Sequence, residues 1–199
     1  MKNNLQIIQS LLNLQSRSAA DSNQFTALAA AKSRINALAL VHQSLYEDEN
    51  LQFVNLRTFL NDLCRHLLQS GWGAAKRVGV TVDVPDIITT ADYAVPISLL
   101  VTEAVTNALK HAFTGRDIGN ITVRMVNDLE HGAELTIRDN GIGMETAPRP
   151  LGVKQSGIGY SLIEGFAKQL RGAVKTVSSQ GTAVTVTFPH IPGRTAKAS

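Results

Sequence analysis

The chain has 199 residues, 44% of them hydrophobic and 18% charged, with a formal net charge of +3. That balance excludes a disordered chain and allows one medium domain or two small ones. No apolar run approaches the roughly 18 residues of a membrane helix, and no basic segment leads into an apolar one as in a signal peptide.

Glycine and proline are absent before residue 50 and recur after it. This divides the chain into a helical unit over 1–49, a mixed unit over 50–192 and a tail over 193–199 that reads as disordered. In the first unit, Leu5, Ile8 and Leu12 recur at helical spacing, with Ile7, Leu11 and Leu14 as an adjacent stripe. A polar break follows, offering Asp21, Ser22 and Asn23 as helix caps. A second helix carries Leu28, Ala31, Ile35, Leu38, His42 and Leu45 as a heptad-like seam. A two-helix hairpin cannot enclose such a seam by itself, so the reading is a dimer that forms a four-helix bundle.

The second unit opens with an amphipathic helix marked by Leu56, Phe59, Leu60, Leu63 and Leu67. Cys64 lies in that pattern and reads as a buried, reduced thiol; a cytoplasmic setting fits it. Val78, Val80, Val82 and Val84 alternate as a strand that Pro85 ends. Pro96 to Phe113 reads as a long helix with proline in its first turn. Ile121, Val123 and Met125, then Leu135 and Ile137, mark further strands. The stretch 140–157 reads as a long loop, and Ile158 to Leu170 as a helix. Val174 and Val177, then Val184, Val186 and Phe188, mark the last two strands. One-sided alternation predicts an α+β sandwich, a sheet with helices on one face.

Three elements carry chemistry. The long helix places Glu103, Asn107, Lys110 and His111 along one polar edge, although its other residues are apolar and need burial. A solvated polar edge and a site are both open readings of this stripe: Glu103 and Lys110 are too far apart for the usual helical pair, and Asn is a poor helix former. Asp139-Asn140-Gly141-Ile142-Gly143 stands at a strand end, where a carboxylate can accept a hydrogen bond from a nucleobase amino group and glycines let the backbone approach the ring. Gly157-Ile158-Gly159 opens a helix, whose free N–H groups suit phosphate. Dinucleotide-type and P-loop patterns are both missing: position 162 is leucine, and no Gly-Lys-Ser/Thr follows a glycine-rich loop. The basic residues are scattered and not interleaved with aromatics, so nucleic acid is not supported as a partner.

The order of these elements, closed by Gly181-Thr182 before the last strand, resembles the ATP-binding domain of histidine kinases, the Bergerat-type fold. Glu103 to His111 looks like the N box, Asp139 to Gly143 like the G1 box, and Gly157 to Gly159 like the G2 box. The resemblance implies ATP and Mg2+ as cofactors. It implies Asn107 on the magnesium, Asp139 on the adenine amino group and Lys110 and His111 near the phosphates. Glu103 would assist magnesium or water, or act as base. Thr182 would support the adenine end, and Lys154 would reach a phosphate from a lid over 144–156.

Lys2 to Gln15 and Ala39 to Tyr46 resemble the two dimerisation helices of the bacterial HisKA_2 subclass. The resemblance implies a two-component sensor kinase that autophosphorylates on a histidine and passes the group to an aspartate of a response-regulator receiver domain. In that subclass the acceptor lies just ahead of the lysine, a position this sequence does not contain, so the chain reads as part of a longer kinase or else as a natural form without an acceptor, the first being favoured. On its own it is expected not to autophosphorylate. His42 reads as a buried bundle residue, and His66, His131 and His190 have no strong claim as acceptors. Two other readings stand beside the kinase: a dimeric ATP-binding scaffold without phosphotransfer, and an anti-sigma-type serine kinase, which the HisKA_2-like helices disfavour.

Overall fold

A computed structural model of the chain describes residues 24–46, 53–69, 77–116, 118–143, 158–192 and 194–195. The first expected helix, Lys154 and Gly157 lie outside them, as does the His42 side chain. Among the described residues no helix is long and apolar enough to cross a membrane.

The architecture is the expected α+β sandwich. Strands β2 (Arg77–Asp83), β4 (Ile118–Asp128), β5 (Gly132–Asp139), β6 (Ala173–Ser178) and β7 (Thr182–Phe188) form one sheet in the order β2-β4-β5-β7-β6. Only β2 and β4 run parallel; the other neighbours are antiparallel. Period-two alternation turns Ile121, Val123 and Met125 of β4 and Ala133, Leu135 and Ile137 of β5 into the core. The opposite face carries Thr81, Thr122, Thr136 and Thr185, and Thr136 and Thr185 hydrogen-bond across the register at 3.1 Å. β-branched hydroxyl residues suit a pleated surface that meets water.

Helix α1 (Gln24–Tyr46) precedes strand β1 (Phe53–Asn55), and helix α2 (Leu56–Gln69) follows it. Helix α2 buries Leu56, Phe59, Leu60, Leu63, Cys64 and Leu67, the stripe its sequence indicates. Burial raises the Cys64 thiol pKa to about 12, so the thiol is inert at neutral pH.

Helix α3 (Ala91–Asn107) is buried on nearly all sides from Ala94 to Thr106. It packs against α1, α2 and α4 (Ile158–Gln169). An apolar circumference of this kind makes a central helix and not a surface one. Its buried hydroxyls are satisfied locally: Ser98 donates to the Val95 carbonyl and Thr102 to the Ser98 carbonyl, each at 2.7 Å.

The expected start at Pro96 is corrected. The helix begins at Ala91, with Thr90 as an extended N-cap and Asp92 in the first turn, where the dipole favours a carboxylate. Pro96 then lies within the helix. Its missing N–H leaves the carbonyl of Asp92 without a helical donor, and Asp92 is exposed to water. At the other end α3 widens into a π-helical turn over Ala108–Ala112. Such turns inside helices are frequent at functional sites.

Beside the expected seam α1 has a second, buried face: Ser33, Arg34, Ala37 and Val41 are buried because α1 packs on α3 of the same chain, whereas Ile35 of the seam is 64% exposed. One further expectation is revised. The tail contributes β8 (Arg194–Thr195), which pairs with β3 (Ile87–Thr90); β3 also pairs with β1. These strands are too short for periodicity to reveal.

Candidate functional site

The site lies between the C-terminal end of β5 and the helices α3 and α4. On β5 the alternation that buries Leu135 and Ile137 turns Asp139 inward as well, and it is 5% exposed. Its Oδ1 accepts hydrogen bonds from the backbone N–H of Gly141 at 2.9 Å and of Thr182 at 3.2 Å. Oδ2 makes no hydrogen bond among the described residues, and Asp139 forms part of the cavity wall. One oxygen is thus anchored to backbone and the other remains to accept from a ligand.

Two glycines make this packing possible. A Cβ on Gly141 would lie 2.2 Å from the Ala112 carbonyl oxygen, and one on Gly181 would lie 2.1 Å from that of Asp139. Gly181 also adopts φ +111°, which side-chain-bearing residues avoid. The same Ala112 carbonyl accepts from the Ile142 N–H at 2.9 Å, tying the loop after β5 to the π-helical turn.

The opposite end is built from helices. Asn107 is half-buried on the last turn of α3, and Glu103, one turn earlier, is 5% exposed. Both face the start of α4: a Cβ on Gly159 would lie 3.0 Å from Asn107 Nδ2 and 3.4 Å from Glu103 Oε2. Glu103 carries a partner that sequence reading missed. Arg34 of α1 donates from Nε to Oε1, and from Nη2 to Oε2 at 3.0 Å. Lys110 is half-buried near this pair. Burial pushes its pKa below the ordinary lysine value; the Glu103 carboxylate opposes that shift and the Arg34 guanidinium adds to it.

The two ends open into one cavity of about 290 Å³. Asn107, His111, Asp139, Gly143, Gly159 and Thr182 of the expected set line it. Glu103, Lys110 and Gly141 are not among its lining residues but adjoin them: Glu103 Oε2 faces Gly159, Lys110 precedes His111 and Gly141 packs on Ala112. Sequence reading missed the small-residue stripe Ala104, Ala108 and Ala112, which gives the cavity its depth, and the apolar walls Ile137, Ile163 and Val184. It also missed Tyr160 and Thr176. The Thr176 hydroxyl is buried and has no hydrogen-bond partner among the described residues. Spacing by three back from Asn107 gives Ala104, by four onward from there Ala108 and Ala112, and by four from Gly159 gives Ile163, but all of these read as ordinary core.

An apolar slot with a carboxylate at one end suits a planar base, and its volume is near the small end of ligand sites. Among the described residues no cluster of three His, Cys, Asp or Glu could hold a metal ion alone. The Asn107 amide and the Glu103 carboxylate are hard oxygen donors. That set fits magnesium, which takes most of its ligands from phosphates and water.

Comparison with known proteins agrees with this geometry. Residues 92–192 match the family described as histidine kinase-, DNA gyrase B- and HSP90-like ATPase, and residues 1–71 match HisKA_2, described as histidine kinase. An anti-sigma F factor of Bacillus licheniformis is 30% identical over 119 residues, covering 56% of this chain and 80% of the relative. The anti-sigma F factor of Halalkalibacterium halodurans is 34% identical over 119 residues, covering 55% and 77%. Among solved structures, the histidine kinase domain of a blue-light activated histidine kinase from Erythrobacter litoralis superposes with a TM-score of 0.70 at 23% identity. That match covers 94% of this chain and 86% of the other. The ATP-binding domain of PrrB from Mycobacterium tuberculosis gives 0.51 at 22% identity, covering 71% and 97%. The chain therefore belongs to the histidine kinase-, DNA gyrase B- and HSP90-like ATPases, as an ATPase domain of the Bergerat fold joined to a HisKA_2-type histidine kinase segment.

Proposed function

We propose that this chain is the catalytic core of a two-component sensor histidine kinase. It binds Mg-ATP and directs the γ-phosphoryl group to a histidine ahead of Lys2, from which it passes to a response-regulator aspartate. The observation that carries the reading is one cavity with a half-anchored carboxylate, Asp139, at one end and Asn107 and Gly159 at the other.

In this reading Asp139 Oδ2 accepts from the adenine amino group, and Gly141, Gly143 and Thr182 shape the base end. Asn107 holds the metal, with Glu103 beside it. Lys110, His111 and Gly159 meet the phosphates, and Gly157 and Lys154 belong to the same end. Bound magnesium would neutralise phosphate charge as the phosphoryl group moves. Positioning and electrostatics then carry the reaction, in which the bond from the γ-phosphorus to the β-phosphate breaks and a bond to the acceptor nitrogen forms. ADP leaves with the electron pair. The exposed Ile35 on α1 supports a homodimer closed through that helix.

A second reading, a serine kinase of anti-sigma type, is favoured by the anti-sigma F factors that align over most of their own length. The segment matched to HisKA_2 favours the histidine kinase. Incubation of the kinase, with its native upstream sequence, with γ-labelled ATP separates them. Acid-labile, alkali-stable label is expected for phosphohistidine. Acid-stable label on serine of a partner protein would replace the first reading with the second.

A further inference from the structure

The ion pair between Arg34 and Glu103 joins residues 69 positions apart and is buried on both sides. We propose that Arg34 is a positioning residue of the nucleotide site: through its two-pronged hold it sets the orientation of the Glu103 carboxylate, so that helix α1 is a working part of the phosphate end. The inference rests on the nucleotide-binding reading above.

Three observations carry it. First, Glu103 sits on a helix whose neighbours Leu99, Leu100, Val101 and Ala104 are all buried. A carboxylate there needs a countercharge, and removing one member of such a pair leaves an uncompensated buried charge. Arg34 supplies that countercharge through two hydrogen bonds, and Lys110 is a second cation close enough to feel Glu103. Second, a guanidinium donates in one plane and fixes both carboxylate oxygens, which an ammonium cannot do. A carboxylate has about four acceptor positions, so two donors leave others open. Third, the held oxygen Oε2 is the one that faces Gly159, beside Asn107. Arg34 therefore aims Glu103 at the phosphate end without occupying it.

For ATP hydrolysis the consequence is direct. The oxygen of water bonds to the γ-phosphorus, the bond to the β-phosphate oxygen breaks, ADP leaves with its electron pair, and the Glu103 carboxylate takes the water proton. A carboxylate rotated from its setting loses turnover more than binding.

The test is steady-state phosphate release from Mg-ATP by the full chain and by Arg34→Gln, Arg34→Lys, Glu103→Gln and the double variant Arg34→Gln/Glu103→Gln. Folding is checked by circular dichroism and ATP binding by calorimetry. Expected is a fall in kcat of about tenfold or more in Arg34→Gln with KM within about twofold, and a smaller loss in Arg34→Lys, which keeps the charge and loses the fork. The double variant should be no slower than Glu103→Gln by more than about twofold, because Arg34 acts through Glu103. Parent-like kcat in folded Arg34→Lys and Arg34→Gln, faster turnover, or losses that multiply in the double variant would each overturn the proposal. Should Arg34→Gln fail to fold, Arg34→Lys decides: a reduced kcat supports the proposal and a parent kcat overturns it. No ATP binding by the parent chain would instead remove the nucleotide reading itself.

Discussion

The strand-built end of the cavity and its helix-built end are held by different bonds. At the strand end, sheet register does the positioning. Arg138 pairs with Ala183, which brings the Thr182 N–H onto Asp139 Oδ1 without any side chain from elsewhere. At the helix end, Glu103 and Asn107 depend on how α1 and α4 pack against α3, and on the ion pair to Arg34. A backbone ladder tolerates little movement, whereas packed helices can shift by small amounts. In the proposed reading, recognition of the base is thus built into the sheet, and the charge-handling end into contacts between segments distant in sequence.

The largest effect should come from breaking the strand end. Gly181→Ala places a side chain at φ +111° and against the Asp139 carbonyl. It should cost about 3 kcal/mol, lower Tm by roughly 10 °C in a thermal melt, and take ATP affinity with it. A parent-like melt would mean that the turn before β7 is not the anchor described.

At the helix end, Asn107→Ala should leave Tm nearly unchanged, because Asn107 is only half-buried. Calorimetry with and without magnesium should show the gain in ATP affinity due to the metal falling about tenfold, with metal-free binding retained. Equal losses in both conditions would place Asn107 on the base instead.

The smallest effect serves as a control at a hairpin away from both ends. The Asp128 carboxylate is held below its ordinary pKa of 3.8, first by the His131 backbone N–H and then by that of Glu130. Because the folded value is depressed, its contribution is fully present above pH 3.8 and is lost as pH falls through the folded value. Asp128→Asn should remove this small part of the acid dependence in urea melts and leave ATP binding untouched. A changed ATP affinity would contradict the separation of hairpin and site.

The difference between the two ends also explains what could be read without a structure. The strand end was legible because period-two alternation and a glycine-rich turn are local signals: Ile137 inward implies Asp139 inward. Asn107 and Glu103 were legible as polar residues on an apolar helix. Arg34 was not, because a heptad seam pointed to Ile35 and nothing local marks a bond across 69 positions. The start of α3 was misplaced because proline is read most readily as a first-turn residue, whereas Pro96 stands in the second turn. Strands β1, β3 and β8 escaped because they hold too few residues for any period to show. Lys154 and Gly157 fall outside the described residues.

The central claim is that the cavity is a nucleotide site with Asp139 reading the base. Isothermal titration of Mg-ATP into the full chain and into Asp139→Ala tests it most directly. The expected result is micromolar binding by the parent that falls by about a hundredfold or more in the variant, as for a lost charge-assisted hydrogen bond in a buried site. No heat of binding in the folded parent, or equal affinity in the folded variant, would contradict the account.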